Sequence, residues 1–305
     1  MWKSGQVNSI SSPYGKQEPL GGLALEGVTV RFGEVPALDD VSIMVEPGER
    51  LAVIGASGAG KSTLFRTLTR SVALSSGRVT VGERNLYALS KKELNEVRRC
   101  VGTIYQAYNL VPQLPAGVNA ALGEVGGMGA WGTLRTFLAG PDTALASRVA
   151  DALDRMDLRD KAHIRTVDLS GGQQQRVAVA RLLVQRPNLI LADEPFAAVD
   201  PVTTERVMET LLELNGEGAT LLVNLHDVRM ARRFPRVVAL REGRGAFDGP
   251  PERLTEERLS RIYAANQHAT AASSTGASPK PRDYVCPRTE EPVRLVEGRD
   301  GISAH

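Results

Sequence analysis

Cysteine is nearly absent. Cys100 and Cys286 are the only two in 305 residues; they lie far apart and lack metal-ligand spacing, which excludes a disulfide framework and fits a reducing cytoplasm. Long apolar runs are missing too: no stretch reaches the roughly 18 residues that a membrane-crossing helix needs. Residues 1–22 are rich in Ser, Gly and Pro and lack the apolar centre of a signal peptide, so neither a membrane span nor an export signal is expected. Neither sign of charge prevails. Lys and Arg number 37 against 35 Asp and Glu, and a net charge of +2 gives no field that would hold nucleic acid or an anionic membrane by bulk attraction. No internal repeat is visible. What is present is ordinary globular material, 42% hydrophobic and 24% charged, enough to bury a core in one large domain or two small ones.

Residues 1–22 read as a mobile leader, because turn formers outnumber apolar residues and show no period. From residue 267 to 305, Val, Leu, Ile and Phe supply only five of thirty-nine positions, too few to offset the entropy of ordering, so a flexible tail is expected. Between these ends, apolar runs alternate with amphipathic stretches, as parallel strands covered by helices do. Residues 25–30 and 41–45 alternate like half-exposed antiparallel strands. Residues 51–54, 189–192 and 221–225 are apolar throughout but for Asn224 and should form the sheet centre, buried on both faces. Residues 117–156 predict a helical block set apart from that sheet.

The apolar run 51–54 leads at once into Gly55-Ala56-Ser57-Gly58-Ala59-Gly60-Lys61-Ser62-Thr63, which satisfies G-x-x-x-x-G-K-[ST] in a strand, loop, helix setting. Glycines permit the backbone angles that aim several N–H groups at one phosphate chain, and the helix that starts near Lys61 adds the positive end of its dipole. Lys61 is expected to neutralise the β and γ phosphates, and Ser62 to offer its hydroxyl to Mg²⁺, with Thr63 as the alternative. At the end of the 189–192 run, Asp193 and Glu194 place two carboxylates where a parallel sheet presents ligand groups. Asp193 would hold Mg²⁺ through water, and Glu194 would orient or deprotonate the attacking water.

Leu169-Ser170-Gly171-Gly172-Gln173, followed by Gln174-Gln175-Arg176, predicts a helix that starts at Ser170 and presents open N–H groups and a small hydroxyl. With these residues the chain resembles the ATP-binding cassette (ABC) ATPases from residue 23 to about 266. The resemblance implies an α/β P-loop cassette: a mixed central sheet, an antiparallel β subdomain, and a separate α-helical signature subdomain over about residues 107–175. It also implies a head-to-tail homodimer in which Ser170, Gly171, Gly172 and Gln173 close over ATP on the opposite protomer. Phe32 is similar to the aromatic that stacks on adenine, the alternative being a core Phe. Gln106 is similar to the glutamine that senses the γ phosphate and metal beside the membrane partner. His226 matches a γ-phosphate switch, the alternative being a core histidine. Asp200 sits in the place of the dimer-contacting loop, where the family usually writes Ser-x-Leu-Asp and this chain has Ala-Ala-Val-Asp.

Since no membrane helix is expected, the resemblance implies integral-membrane permease subunits and, through them, a periplasmic or lipid-anchored binding protein. The chain would then sit peripherally on the cytoplasmic face of the cell membrane. Three features resemble the phosphonate-import branch: the lengthened block between Gln106 and Ser170, Asn224-Leu225-His226-Asp227, and residues 247–255 leading to Ile262-Tyr263. They imply import of phosphonate or a related phosphorus oxyanion. Import of another small solute, or a soluble cassette in a carbon-phosphorus lyase assembly, stay open as alternatives. Arg229, Arg232, Arg233, Arg236, Arg241 and Arg244 crowd one segment; a solvated face is expected there and no nucleic-acid contact.

Overall fold

Val28, Val30, Val41, Ile43 and Val45 are buried, and the alternating runs that carry them pair as antiparallel strands, Leu23–Phe32 (β1) and Val35–Val45 (β2). Ser76–Val81 (β4) pairs with β1, and Arg84–Asn85 (β5) pairs with β4. The result is a four-stranded antiparallel sheet in the order β2-β1-β4-β5. The computed structural model describes residues 20–105, 107–125, 142–196 and 199–264. Chain contacts divide it into a unit over Met1–Ala264, which contains every element below, and a short unit over Ala265–His305 outside the described residues. The expected tail lies wholly outside the described residues, as do residues 1–19 of the expected leader.

The continuous apolar runs become the middle of a second sheet. Arg50–Ile54 (β3), Val101–Ile104 (β6), Leu189–Asp193 (β7), Thr220–Asn224 (β8) and Arg236–Arg241 (β9) are parallel, and Arg244–Gly249 (β10) closes one edge antiparallel to β9. The order is β10-β9-β3-β8-β7-β6. Ala52, Ile54, Ile190, Ala192, Leu221 and Val223 face one apolar cluster, whereas Leu51, Val53, Leu189, Leu191 and Leu222 face the other, shared with β1, β2 and β4. Burial on both faces is why these strands carry no alternation.

Helix starts follow local capping chemistry. Ser90 and Glu93 form a reciprocal capping box for Lys91–Cys100 (α2), and Asp142 caps Thr143–Arg155 (α4). Ser170 and Gln173 cap Gly171–Gln185 (α5) in the same reciprocal way, and Asp200 caps Pro201–Gly216 (α6), whose first residue is a proline. Lys61–Leu68 (α1), Ala116–Val125 (α3), Val228–Ala231 (α7) and Glu256–Tyr263 (α8) complete the described helices. The expected helical block is two helices, α3 and α4, packed on α5, with residues 126–141 outside the described residues. α3 lies so close to α5 that a side-chain carbon on Gly123 would sit 2.2 Å from the Arg181 carbonyl oxygen.

Of the six crowded arginines, five are spent on ion pairs within the fold. Arg229 meets Asp227, Arg233 meets Glu205, Arg236 meets both Glu49 and Asp248, Arg241 meets Glu242 and Arg244 meets Asp39. Among the described residues no helix is long and apolar enough to cross a membrane.

Candidate functional site

Parallel strands deliver their C-terminal ends to one edge of a sheet, and β3, β8 and β7 are neighbours there. The loop after β3 curls through Gly55 (φ +151), Gly58 (φ +78) and Gly60 (φ +102). Two of these glycines are sterically required. A side-chain carbon on Gly55 would lie 2.3 Å from the Leu240 carbonyl oxygen, and one on Gly60 would lie 2.4 Å from that of Ala37. Ser57 and Gly58 form the exposed tip, Ala56 is half-buried, and Ala59 is buried where Gly243 N–H donates to its carbonyl. The loop is thus a cradle braced from behind by the β9–β10 hairpin.

Lys61, the first residue of α1, is 5% exposed. Its Nζ donates to the carbonyls of Gly55 at 2.7 Å and Ala56 at 3.0 Å. Burial pushes its ammonium below the usual lysine range, against the pull of Glu194 and Asp193. Ser62 follows, its hydroxyl donating to Asp193 Oδ1 at 3.5 Å, while Thr63 is half-buried behind it. Asp193 closes β7 in register with Asn224 of β8, whose Nδ2 donates to the same Oδ1 at 2.6 Å. The chemistry of this donor set fits Mg²⁺: a hydroxyl and a carboxylate supply hard oxygens beside a phosphate cradle, and Mg²⁺ characteristically keeps water and phosphate as its other ligands.

Glu194 leaves β7 in the left-handed region (φ +54), and its Oε1 lies 2.5 Å from His226 Nε2. The His226 side chain is 53% exposed, so the core-histidine alternative falls. Phe32, at the end of β1, is 56% exposed and is likewise no core residue. Asp200 accepts from Thr203 N–H at 2.9 Å, and that bond holds its carboxyl below the usual range. A side-chain carbon on Gly172 would sit 3.5 Å from Asp200 Oδ2, so the start of α5 and the start of α6 adjoin. Ser170 is exposed, and its hydroxyl accepts from Gln173 N–H at 3.3 Å. That cap leaves the N–H groups of Gly171 and Gly172 at the open end of the helix. Gln106, Ala197 and Ala198 lie outside the described residues.

One edge therefore gathers Lys61, Ser62, Asp193, Glu194 and His226. Ser170 to Gln173 belong to another part of the chain, the tip of α5. Sequence reasoning missed the function of Asn224. It ends a buried apolar run as a fully buried amide, a signal in itself, but its partner is fixed by strand register, which the residue pattern does not reveal.

Comparison with known proteins identifies the family and the fold. The family model described as "ABC transporter" matches residues 38–197. The phosphonates import ATP-binding protein PhnC of Bradyrhizobium diazoefficiens is 42% identical over 261 residues, covering 85% of this chain and 94% of that protein. PhnC 1 of Halalkalibacterium halodurans is 42% identical over 231 residues, covering 75% of this chain and 89% of that protein. Among solved structures, a dimeric post-hydrolysis state of an ATP-binding cassette bound to ADP and Pi is 32% identical at a TM-score of 0.67. That match covers 75% of this chain and 98% of the other. A nucleotide-free ATP-binding cassette from an ABC transporter is 25% identical at 0.65, covering 81% and 96%.

Proposed function

The chain belongs to the ABC transporter family of ATP-binding proteins, and on that premise we propose that it is the ATP-hydrolysing subunit of an importer for phosphonates or a related phosphorus oxyanion. The observation that carries the ATPase reading is the convergence of Lys61, Ser62, Asp193 and the Glu194–His226 pair on one sheet edge. The substrate reading is supported by the relatives' names, since the residues of this site would meet nucleotide and not the transported solute. The cassette proper is read as residues 23–266.

In this reading the N–H groups of residues 55–63 bind the phosphate chain, and Lys61 Nζ exchanges its carbonyl partners for β and γ oxygens. Ser62, and Asp193 through water, would hold Mg²⁺, which would supply charge neutralisation beside those phosphates. Asn224 keeps Asp193 turned toward Ser62. With Nε2 protonated, His226 donates to Glu194 Oε1 and orients the carboxylate. Glu194 then takes the proton of the water whose oxygen attacks the γ phosphorus, while the bond to the β-γ bridging oxygen breaks to release ADP and phosphate. Phe32 stacks on adenine, and Gln106 senses metal and γ phosphate.

Ser170, Gly171, Gly172 and Gln173 present a second anion-binding helix start that this chain does not aim at its own loop through any described contact. A head-to-tail homodimer gives it a nucleotide, with Asp200 beside it at the seam, and the dimeric cassette at 32% identity supports that arrangement. Permease subunits and a binding protein complete the importer, which places this chain at the cytoplasmic face of the membrane. The test is reconstitution: phosphonate delivered by the binding protein should stimulate ATP hydrolysis, and stimulation by an unrelated solute alone would refute the substrate. Mixing Lys61→Ala chains with Ser170→Arg chains should restore one working site per heterodimer. No activity despite confirmed mixing would count against pairing across chains.

A further inference from the structure

α5 carries more than the signature at its tip. In its third turn, the Arg181 guanidinium donates through Nη1 to the Asn109 carbonyl at 2.7 Å and through Nη2 to the Tyr108 carbonyl at 3.3 Å. Tyr108 (φ +56) and Asn109 (φ +49) are consecutive non-glycine residues in the left-handed region, which asparagine tolerates but a bulky aromatic residue adopts at a cost. Among the described residues no carboxylate pairs with Arg181, so the planar fork is committed to these two carbonyls; its burial holds the guanidinium below its usual range. The backbone of Arg181 is itself pinned by the close approach of Gly123 on α3.

The side chain of Tyr108 runs back along the same helix. Its hydroxyl lies 3.2 Å from where a side-chain carbon on Gly171 would be, at the first residue of α5. A second tether leaves α5 nearer its start, where Gln175 Nε2 donates to the Pro195 carbonyl at 2.5 Å, one residue after Glu194. The helix that begins at the signature is thereby tied to the segment two residues beyond Gln106 and to the segment one residue beyond Glu194.

We infer that Arg181 is a positioning residue, which clamps the strained Tyr108–Asn109 turn onto α5 so that the segment just after Gln106 and the signature end of the same chain move as one body. The inference rests on the reading of the chain as a two-site ATPase. It predicts a separation of binding from turnover, because Arg181 touches none of the residues that cradle phosphate.

The test uses the full chain with Arg181→Gln and Arg181→Lys, the latter keeping a charge but not the fork. The expected result is a KM for ATP within about twofold of wild type, with kcat reduced roughly tenfold in Arg181→Gln and by less in Arg181→Lys. In a Glu194→Gln background, Arg181→Gln should raise the protein concentration needed for ATP-dependent dimerisation about tenfold, as read by sedimentation. If Arg181→Gln does not fold, Tyr108→Gly decides the matter. It relieves the left-handed strain and removes the hydroxyl beside Gly171, so Tm should hold or rise while kcat falls with KM unchanged. Wild-type kcat in folded Arg181→Gln, or in Tyr108→Gly, overturns the inference. So does a loss of kcat that follows Tm with KM rising in step, which would make Arg181 a structural residue only. A Glu194→Gln control that neither binds ATP nor dimerises would overturn the ATPase reading itself, and is recognisable because it fails with Arg181 intact.

Discussion

Replacing Lys61 with Met should separate what that side chain does for the empty fold from what it does for nucleotide. Methionine keeps an unbranched, buried chain of similar length and deletes the cation. In the empty protein the ammonium has two carbonyl acceptors and two nearby carboxylates, yet burial outweighs them and depresses its protonation, so the charge is on balance unwelcome. The nucleotide-free Tm of Lys61→Met should therefore match wild type or exceed it. Nucleotide reverses the balance. A charge-assisted hydrogen bond to phosphate is worth about 1.5–3 kcal/mol, so losing one weakens affinity by roughly 13- to 160-fold. At an ATP concentration 100 times the wild-type Kd, the linked stabilisation drops from about 2.7 kcal/mol to about 0.3–1.3 kcal/mol. In thermal scans that is a shift of about 5–11 °C falling to about 1–5 °C. pH adds a check of sign. With the folded value below the ordinary lysine value of 10.5, the unfolded chain binds more protons in that window. Wild type should thus gain stability relative to Lys61→Met as pH rises through it. A full ATP shift in the variant would refute the phosphate contact. A nucleotide-free Tm several degrees lower would show that the bonds to Gly55 and Ala56 are net struts of the loop.

Glu194→Gln should bind ATP with near-normal affinity and turn over at least about 100-fold more slowly in a steady-state assay, because an amide cannot accept the water's proton. Asn224→Leu fills the same buried volume but withdraws the donor to Asp193 Oδ1, so Mg²⁺-dependent ATP binding measured by calorimetry should weaken while binding without Mg²⁺ stays unchanged. Asp200→Asn keeps a capping side chain and removes its charge. Since the Asp200 carboxyl titrates below its usual range when folded, its extra stability is present above the unfolded aspartate value and is lost as pH falls through the depressed one. The difference in Tm between the two proteins should therefore vanish in acid, and a difference that persists there would refute the assignment.

The parts of the fold legible in the sequence were those written as composition. Residues 51–54, 189–192 and 221–225 carry no polar side chain until their ends because both faces are covered, and they became β3, β7 and β8 at the sheet centre. The loop from Gly55 to Thr63 was legible because its geometry demands glycine at set places, which leaves a spacing. β4 was not legible. Its first three residues, Ser76, Gly77 and Arg78, are exposed, and only Val79 and Val81 point into the core, too short a pattern to read as alternation. Asn224, Tyr108 and Arg181 were illegible as a group for a different reason. Their work consists of contacts across strand register or between a helix and a loop more than 70 residues away, and no local pattern encodes such partners.

The sharpest case is the adjacent pair Asp193 and Glu194, two acids that the sequence offers as near equivalents. Their distinction rests on one dihedral. Asp193 is still a strand residue, in register with Asn224, so its Oδ1 faces the amide and the Ser62 hydroxyl. At Glu194 the chain turns into the left-handed region, a conformation that costs a non-glycine residue about 1–3 kcal/mol. The bond from Gln175 to the Pro195 carbonyl fixes the far side of that turn from α5. The turn carries the second carboxylate off the sheet edge to His226, two residues beyond the end of β8, and away from the oxygens suited to metal. Two chemically similar groups thereby acquire different partners: a hydroxyl and an amide that favour a fixed, charged oxygen for one, and an exposed imidazole able to hold or release the other. The same helix that holds this turn through Gln175 begins at the Ser170 cap, so the base and the exposed signature are linked through one element.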